Sequence, residues 1–353
     1  MRNERNAWQG ILSIVALFVL AFSGAAEALW SGISIGSPSW SMLNIFICTM
    51  QWAMPIFVSL IGSVFLSSTH QIKSKPLWRD YVLPASISCV IWWVLSAIVC
   101  MKNNHPQDLD LLTFRECLAE VLEAPSNIGF CHMLVSFFIL YPLLYKIAQN
   151  QKLTKYAVCL IFAMSLLEPF FRNIRYLSAV ALFADQLNWG YYRAWSFYLL
   201  CGALFTKYDQ DWRMCLLLYS LGIISTGAMI ALTSLGTNFA PGYANEYIGF
   251  SSPLTGIQTI ALLLFFRRIF DKAHLPRLTR LTANFWCCVP ILSIVSVFTE
   301  RLTTYTEASD GINALISATL NSLLTIGVII ALGCLPGLKT LVGDYSHGRR
   351  ELI

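Results

Sequence analysis

The sequence predicts an all-α fold: a polytopic bundle of about ten transmembrane helices with both termini in the cytoplasm. Three observations carry this. Only 12% of the 353 residues are charged, against 56% hydrophobic, whereas soluble domains carry about 25% charged residues. The charges are also clumped: residues 28–72, 81–101, 124–145, 214–245, 247–266, 281–299 and 311–338 contain no Asp, Glu, Lys or Arg. Most of these windows reach the roughly 20 residues a helix needs to cross about 30 Å of hydrocarbon. Helices are the element to expect, because backbone amides in lipid must be satisfied within their own segment, and the dyad pattern of a barrel is absent. A soluble enzyme, a nucleic-acid binder and a disordered tail are excluded on composition.

The expected spans are 8–29, 42–66, 81–101, 128–147, 153–171, 188–206, 213–235, 251–270, 281–299 and 311–334. With the N-terminus inside, 18 of the 24 Lys and Arg residues fall on the cytoplasmic side and 6 on the other, the asymmetry expected of cytoplasmic loops. That asymmetry also accounts for the net charge of +5 without a nucleic-acid partner. Residues 1–29 begin like a signal peptide, with a short basic stretch and an apolar run. Nine further spans make a first transmembrane helix the better description.

Neither repeats nor linkers divide the chain, so residues 1–353 are expected to form one integral membrane domain with a cytoplasmic tail at 335–353. The longest non-spanning segment, 102–127, lies on the outer face. Within it Thr113-Phe-Arg-Glu116 has capping-box form. Phe114, Cys117, Leu118, Val121 and Leu122 then recur at helical spacing before Pro125, predicting an amphipathic surface helix over about 113–124. Of the eleven cysteines most are intramembrane and act as small apolar residues. Cys100, Cys117 and Cys131 lie near the outer face, where either a disulfide or unpaired thiols fit.

Ionisable groups at membrane depth are costly and point to function by default. Glu27 lies near the outer end of the first span and His132 just inside the outer end of the fourth. Glu168 closes the fifth, with Arg172 and Arg175 close behind. All lie near the interface, where side chains also snorkel to water. A basic pair beside a carboxylate suits an anionic group or a plain ion pair. Among five histidines only His132 falls inside a span, making it a candidate general base. Metal pairs, phosphate-binding glycine loops, the Gly-x-Ser-x-Gly elbow and the paired helix breaks of transporters are not evident, so no metal is expected.

The second span reads Met54-Pro-Ile-Phe-Val-Ser-Leu-Ile-Gly-Ser-Val-Phe-Leu66. It resembles the second span of bacterial inner-membrane O-acyltransferases of acyltransferase family 3, with Pro55, Phe57 and Gly62 in register. Further likenesses follow in order: Arg79-Asp-Tyr-Val-Leu-Pro84, His132-Met-Leu-Val-Ser-Phe-Phe-Ile-Leu-Tyr-Pro142 and Phe197-Tyr-Leu-Leu-Cys-Gly202. The resemblance covers about residues 8–335. It implies transfer of an acyl group, acetyl or succinyl, from cytoplasmic acyl-CoA to a hydroxyl of a surface or periplasmic polysaccharide or lipid-linked glycan. Glu168, Arg172, Arg175 and Arg79 become candidates for substrate binding. The family's first span carries Asp, Arg and a basic-catalyst His where Asn6, Gln9 and Leu20 stand here, and Gln51 stands where an Arg is common. His132 or Glu27 is then the candidate base. A catalytically silent member, serving polysaccharide-assembly proteins as a binding subunit, is the alternative, with an unrelated polysaccharide transporter or polymerase as a third.

Overall fold

The computed structural model describes residues 7–68, 71–78, 82–104, 114–119, 125–167, 193–239, 247–271 and 311–334, and all regular structure among them is helical. In chain order the helices are α1 (Ala7–Gly32), α2 (Pro38–Met50), α3 (Ala53–Phe65), α4 (Ser74–Leu77), α5 (Leu83–Asn104), α6 (residues 114–119), α7 (Pro125–Gln149), α8 (Gln151–Phe162), α9 (Arg193–Lys207), α10 (Trp212–Phe239), α11 (Pro253–Phe270) and α12 (Gly311–Cys334). A π-turn, Ala163–Leu167, continues α8.

Four stretches among the described residues are long and apolar enough to cross a membrane: Ala7–Glu27, Pro38–Phe65, Trp212–Gly236 and Pro253–Phe270. They coincide with the expected spans at 8–29, 42–66, 213–235 and 251–270. Met133–Gln149 and Gln151–Leu166 meet at a 120° bend and make a fifth if counted as one. The expected spans at 81–101, 128–147, 153–171, 188–206 and 311–334 overlap α5, α7, α8, α9 and α12. The span at 281–299 and the tail at 335–353 lie outside the described residues. Of the expected surface helix, residues 114–119 are helical. Cys117 is buried while Arg115 and Glu116 are exposed, and Trp93 Nε1 of α5 donates to the Leu118 carbonyl at 3.0 Å.

Local chemistry sets the boundaries. Gly36 occupies the left-handed region, φ +80°, in the turn after α1, which costs a glycine little. Ser37 then caps α2 by accepting from Trp40 N at 3.1 Å, with Pro38 at the first helical position where its missing N–H costs nothing. Asn150 makes the α7–α8 corner: extended itself, it accepts from Lys152 N and Leu153 N at 3.0 and 3.2 Å. Ser252 and Pro253 start α11.

Within the stretch Pro38–Phe65 the helix is interrupted at Gln51 and Trp52. Pro55 has no N–H to return to the Gln51 carbonyl, so the ladder opens one turn before it. The main core gathers Trp8, Leu12, Ile56, Phe57, Phe137, Phe138, Tyr141, Tyr198 and Leu263 from α1, α3, α7, α9 and α11. A smaller cluster joins Phe22, Ala26, Trp30, Trp40, Leu43, Ile47 and Ala318 from α1, α2 and α12; there Trp30 and Trp40 stack with centroids 5.6 Å apart.

The α3–α9 crossing is the closest approach for which a cause can be named. A Cβ on Gly62 would lie 1.9 Å from the Leu199 carbonyl oxygen, and one on Gly202 would lie 1.8 Å from that of Ser59. Each glycine thus receives the other helix's backbone. Small residues allow such contact in membranes, where packing replaces the hydrophobic effect as the cause of helix association.

Candidate functional site

The interruption at Gln51 places polar groups inside an otherwise apolar bundle. Gln51 Nε2 donates to Glu27 Oε1 at 3.1 Å, so a carboxamide at the break holds one oxygen of the carboxylate on α1. The Glu27 side chain is exposed at the surface of the helices. Its second carboxylate oxygen has further acceptor capacity. No other Asp or Glu occurs in Ala7–Gly32, Pro38–Phe65, Trp212–Phe239 or Pro253–Phe270.

Beside the break runs a seam of neutral polar side chains. Asn44 on α2 is fully buried, and its Nδ2 donates to Thr233 Oγ1 at 2.9 Å and Ser234 Oγ at 3.2 Å on α10. Cys48 Sγ lies 3.6 Å from Asn44 Oδ1 and from Thr233 Oγ1. Gln258 on α11 directs Nε2 at the Cys48 and Thr49 carbonyls, each 3.2 Å away, and at Thr226 Oγ1 at 2.9 Å. Thr255 Oγ1 reaches Met229 Sδ at 3.5 Å. The carbonyls of the last turn of α2 therefore receive part of their donors from a side chain two helices away.

Gln9 is buried on α1 and donates to Ser63 Oγ on α3 at 3.0 Å; Ser63 in turn donates to the Leu60 carbonyl at 2.8 Å. Leu20 packs against the main core.

At the end of the bundle that carries Lys207 and Arg267, the chain termini of helices are tied together. Arg267 donates to the carbonyls of Phe205 and Tyr208 and pairs with Asp209 at 2.5 Å. Lys207 donates to Gln149 Oε1, and burial holds its ammonium below the usual lysine range. Tyr145 and Tyr208 hydroxyls donate to the Ser68 and Gln149 carbonyls.

Of the residues singled out from sequence, the structure brings Glu27 to Gln51. His132 sits in the first half of α7; its side chain lies outside the described residues, as do Glu168, Arg172, Arg175 and Arg79. Among the described residues no three His, Cys, Asp or Glu side chains cluster as metal ligands. Asn44, Thr226 and Gln258 were not anticipated. One signal was present: Asn44, Cys48 and Gln51 recur at spacings of four and three, a polar stripe on one face of an apolar helix. Comparison with protein-family models, with curated proteins and with solved structures finds no match.

Proposed function

We propose that this chain is a polytopic protein of the bacterial inner membrane, with ten spans and both termini in the cytoplasm. In this proposal it transfers an acyl group from cytoplasmic acyl-CoA to a hydroxyl of a surface or periplasmic glycan. The observation that supports the reading best is Glu27: a lone carboxylate among the long apolar helices, held at one oxygen by Gln51. In the reaction the free carboxylate oxygen takes the proton of the acceptor hydroxyl. The hydroxyl oxygen attacks the thioester carbonyl as its proton leaves, the C–O bond forms, the C–S bond breaks, and the CoA thiolate takes up a proton from solvent while Glu27 releases the proton it accepted. Gln51 keeps the carboxylate oriented while its other oxygen accepts. His132 is the second candidate base. Arg79, Glu168, Arg172 and Arg175 remain candidates for holding substrate, and no metal is assigned a role.

The test is acyl content of surface polysaccharide in a deletion strain carrying the wild type, Glu27→Gln or His132→Ala. Deletion is expected to abolish acylation, and Glu27→Gln to fail to restore it. Unchanged acylation in the deletion strain refutes the proposal.

A second reading, a silent member that binds glycan or an assembly protein, is favoured by one specific observation. Gln9 and Gln51 replace expected arginines, and both amides are committed to partners within the bundle. This reading expects Glu27→Gln and His132→Ala to restore the deletion phenotype fully.

A further inference from the structure

The corner between α7 and α8 carries cations with no carboxylate to match them. Lys146 lies in the last turn of α7, and Lys152 and Lys155 in the first turns of α8; all three are exposed. No Asp or Glu occurs in Pro125–Gln149 or Gln151–Phe162. Lys207, at the end of α9, joins the corner by donating to Gln149 Oε1, a neutral acceptor, and its ammonium lies 5.7 Å from the Tyr208 ring centroid. The carboxylate two residues on, Asp209, is turned to Arg267. Among the described residues none of the four ammonium groups has an anionic partner. Like charges gathered in this way repel one another until an anion is brought to them.

The surface around these lysines is apolar and aromatic. Lys152, Lys155 and Tyr156 share one face of α8, away from the buried Thr154 and Val158. Tyr156 is 65% exposed, and Leu143 and Leu153 on either side of the corner are exposed as well. Trp212, 57% exposed at the start of α10, has the Arg213 guanidinium 5.8 Å from its ring centroid. Trp and Tyr are enriched where hydrocarbon meets headgroups, and lysine stems lie along apolar surface while their ammonium groups reach outward. A soluble acidic partner would match the lysines and leave Leu143, Leu153 and Tyr156 uncovered. A membrane surface matches both.

We propose that this corner is a docking surface for anionic phospholipid, whose headgroup phosphates supply the counter-charge of Lys146, Lys152, Lys155 and Lys207. Each ammonium has three donors, so Lys207 keeps donors for a phosphate while it holds Gln149. A zwitterionic headgroup carries the same phosphate beside its own cation, so selectivity follows net charge. The headgroups bridge the ends of α7, α8 and α9 at the turn that Asn150 caps. The surface does not depend on acyl transfer and stands or falls separately from it.

The experiment uses the purified full chain in dodecyl maltoside micelles. Its thermal midpoint is followed as phosphatidylglycerol, phosphatidylcholine, inorganic phosphate or poly-glutamate is added, at one pH and low ionic strength, where surface charges are least screened. A midpoint that rises and saturates with phosphatidylglycerol, and with none of the other three, is expected. A variant carrying Lys146→Gln, Lys152→Gln and Lys155→Gln is expected to weaken half-saturation by about fivefold per lysine removed. The same three positions changed to arginine are expected to keep it, and so is Arg115→Gln on α6. Where the glutamine variant does not fold, the comparison of the two lipids decides. Equal responses to the two lipids overturn the proposal, as does an unchanged half-saturation in the glutamine variant. Saturation by inorganic phosphate or by poly-glutamate overturns it in favour of a soluble anion or an acidic protein.

Discussion

Replacing Gly62 or Gly202 by alanine tests whether the α3–α9 crossing is set by backbone contact. The added methyl on Gly62 would meet Leu199 O at 1.9 Å, C at 2.6 Å and Cα at 2.8 Å. Backbone cannot swing aside as a side chain does. The first separation must grow from 1.9 Å to the 3.4 Å of ordinary contact, so the helices must part by more than 1 Å along the crossing or slide past each other. Gly202 imposes the same demand against Ser59, at 1.8, 2.6 and 2.9 Å. Overpacking of this kind costs about 1–3 kcal/mol, and rigid backbone on both sides places these sites at the upper end. Both substitutions force the same separation, so the double variant is expected to cost less than the sum of the singles. Gly227→Ala is the internal control: its added Cβ meets nothing within 4 Å and the residue is exposed on α10, so alanine there is expected to stabilise by up to about 1 kcal/mol. The assay is reversible unfolding in mixed detergent micelles for wild type, the three singles and the double. Gly62→Ala within about 0.5 kcal/mol of wild type, a shift small enough for an ordinary surface change, would refute the reasoning.

Asn44→Leu removes two interhelical donors to α10; at about 0.6 kcal/mol per membrane hydrogen bond the expected loss is about 1 kcal/mol in the same unfolding assay. Arg267→Met strips donors from the Phe205 and Tyr208 carbonyls and is expected to lower the thermal midpoint, whereas Asp209→Asn is expected to leave it unchanged. Asp209 is 95% exposed, and such pairs contribute little; an Asp209→Asn effect equal to that of Arg267→Met would show that the ion pair matters more than the carbonyls. For orientation, a fluorescent protein fused after Ile353 is expected to fluoresce and alkaline phosphatase fused there to be inactive; an active phosphatase fusion reverses the proposed topology.

The helical class was legible because apolar windows free of charge leave helices as the natural element, and the boundaries fell where Lys, Arg, Pro and Ser cluster. Details needed geometry. The expected span at 42–66 starts four residues late, because Ser37 and Pro38 act as cap and first position. It also conceals the interruption at Gln51. Pro55 was visible, yet Pro142 lies inside α7 without ending it, so a proline alone does not locate a break. Glu27 stood out in the sequence because a carboxylate in an apolar run is conspicuous. Its partner Gln51 is neutral and does not stand out in the same way. Asn44, Thr226 and Gln258 were not legible, since neutral polar residues are frequent in spans and the bonds that give them meaning join residues 32 to 210 positions apart.

The polar side chains buried in the core of the bundle at Gln9, Asn44 and Gln258 are carboxamides and not charges. A charged side chain at the centre of a span costs about 2.5–3.5 kcal/mol on insertion scales and needs a counter-charge once folded. An amide needs only a hydroxyl or a carbonyl, groups that helices carry in any case. Gln9 finds Ser63, Asn44 finds Thr233 and Ser234, and Gln258 finds two carbonyls and Thr226. The Ser63 hydroxyl satisfies an amide but cannot neutralise a guanidinium, so an arginine at position 9 would have no charge partner in that contact. Gln51 differs from the others because its partner is itself ionisable: the amide orients Glu27 without supplying a fixed positive charge to hold its proton off. An arginine at position 51 would set a fixed positive charge beside the carboxylate, whereas glutamine supplies only a hydrogen-bond donor. In the proposed reaction Gln51 therefore orients the base without adding a charge beside it.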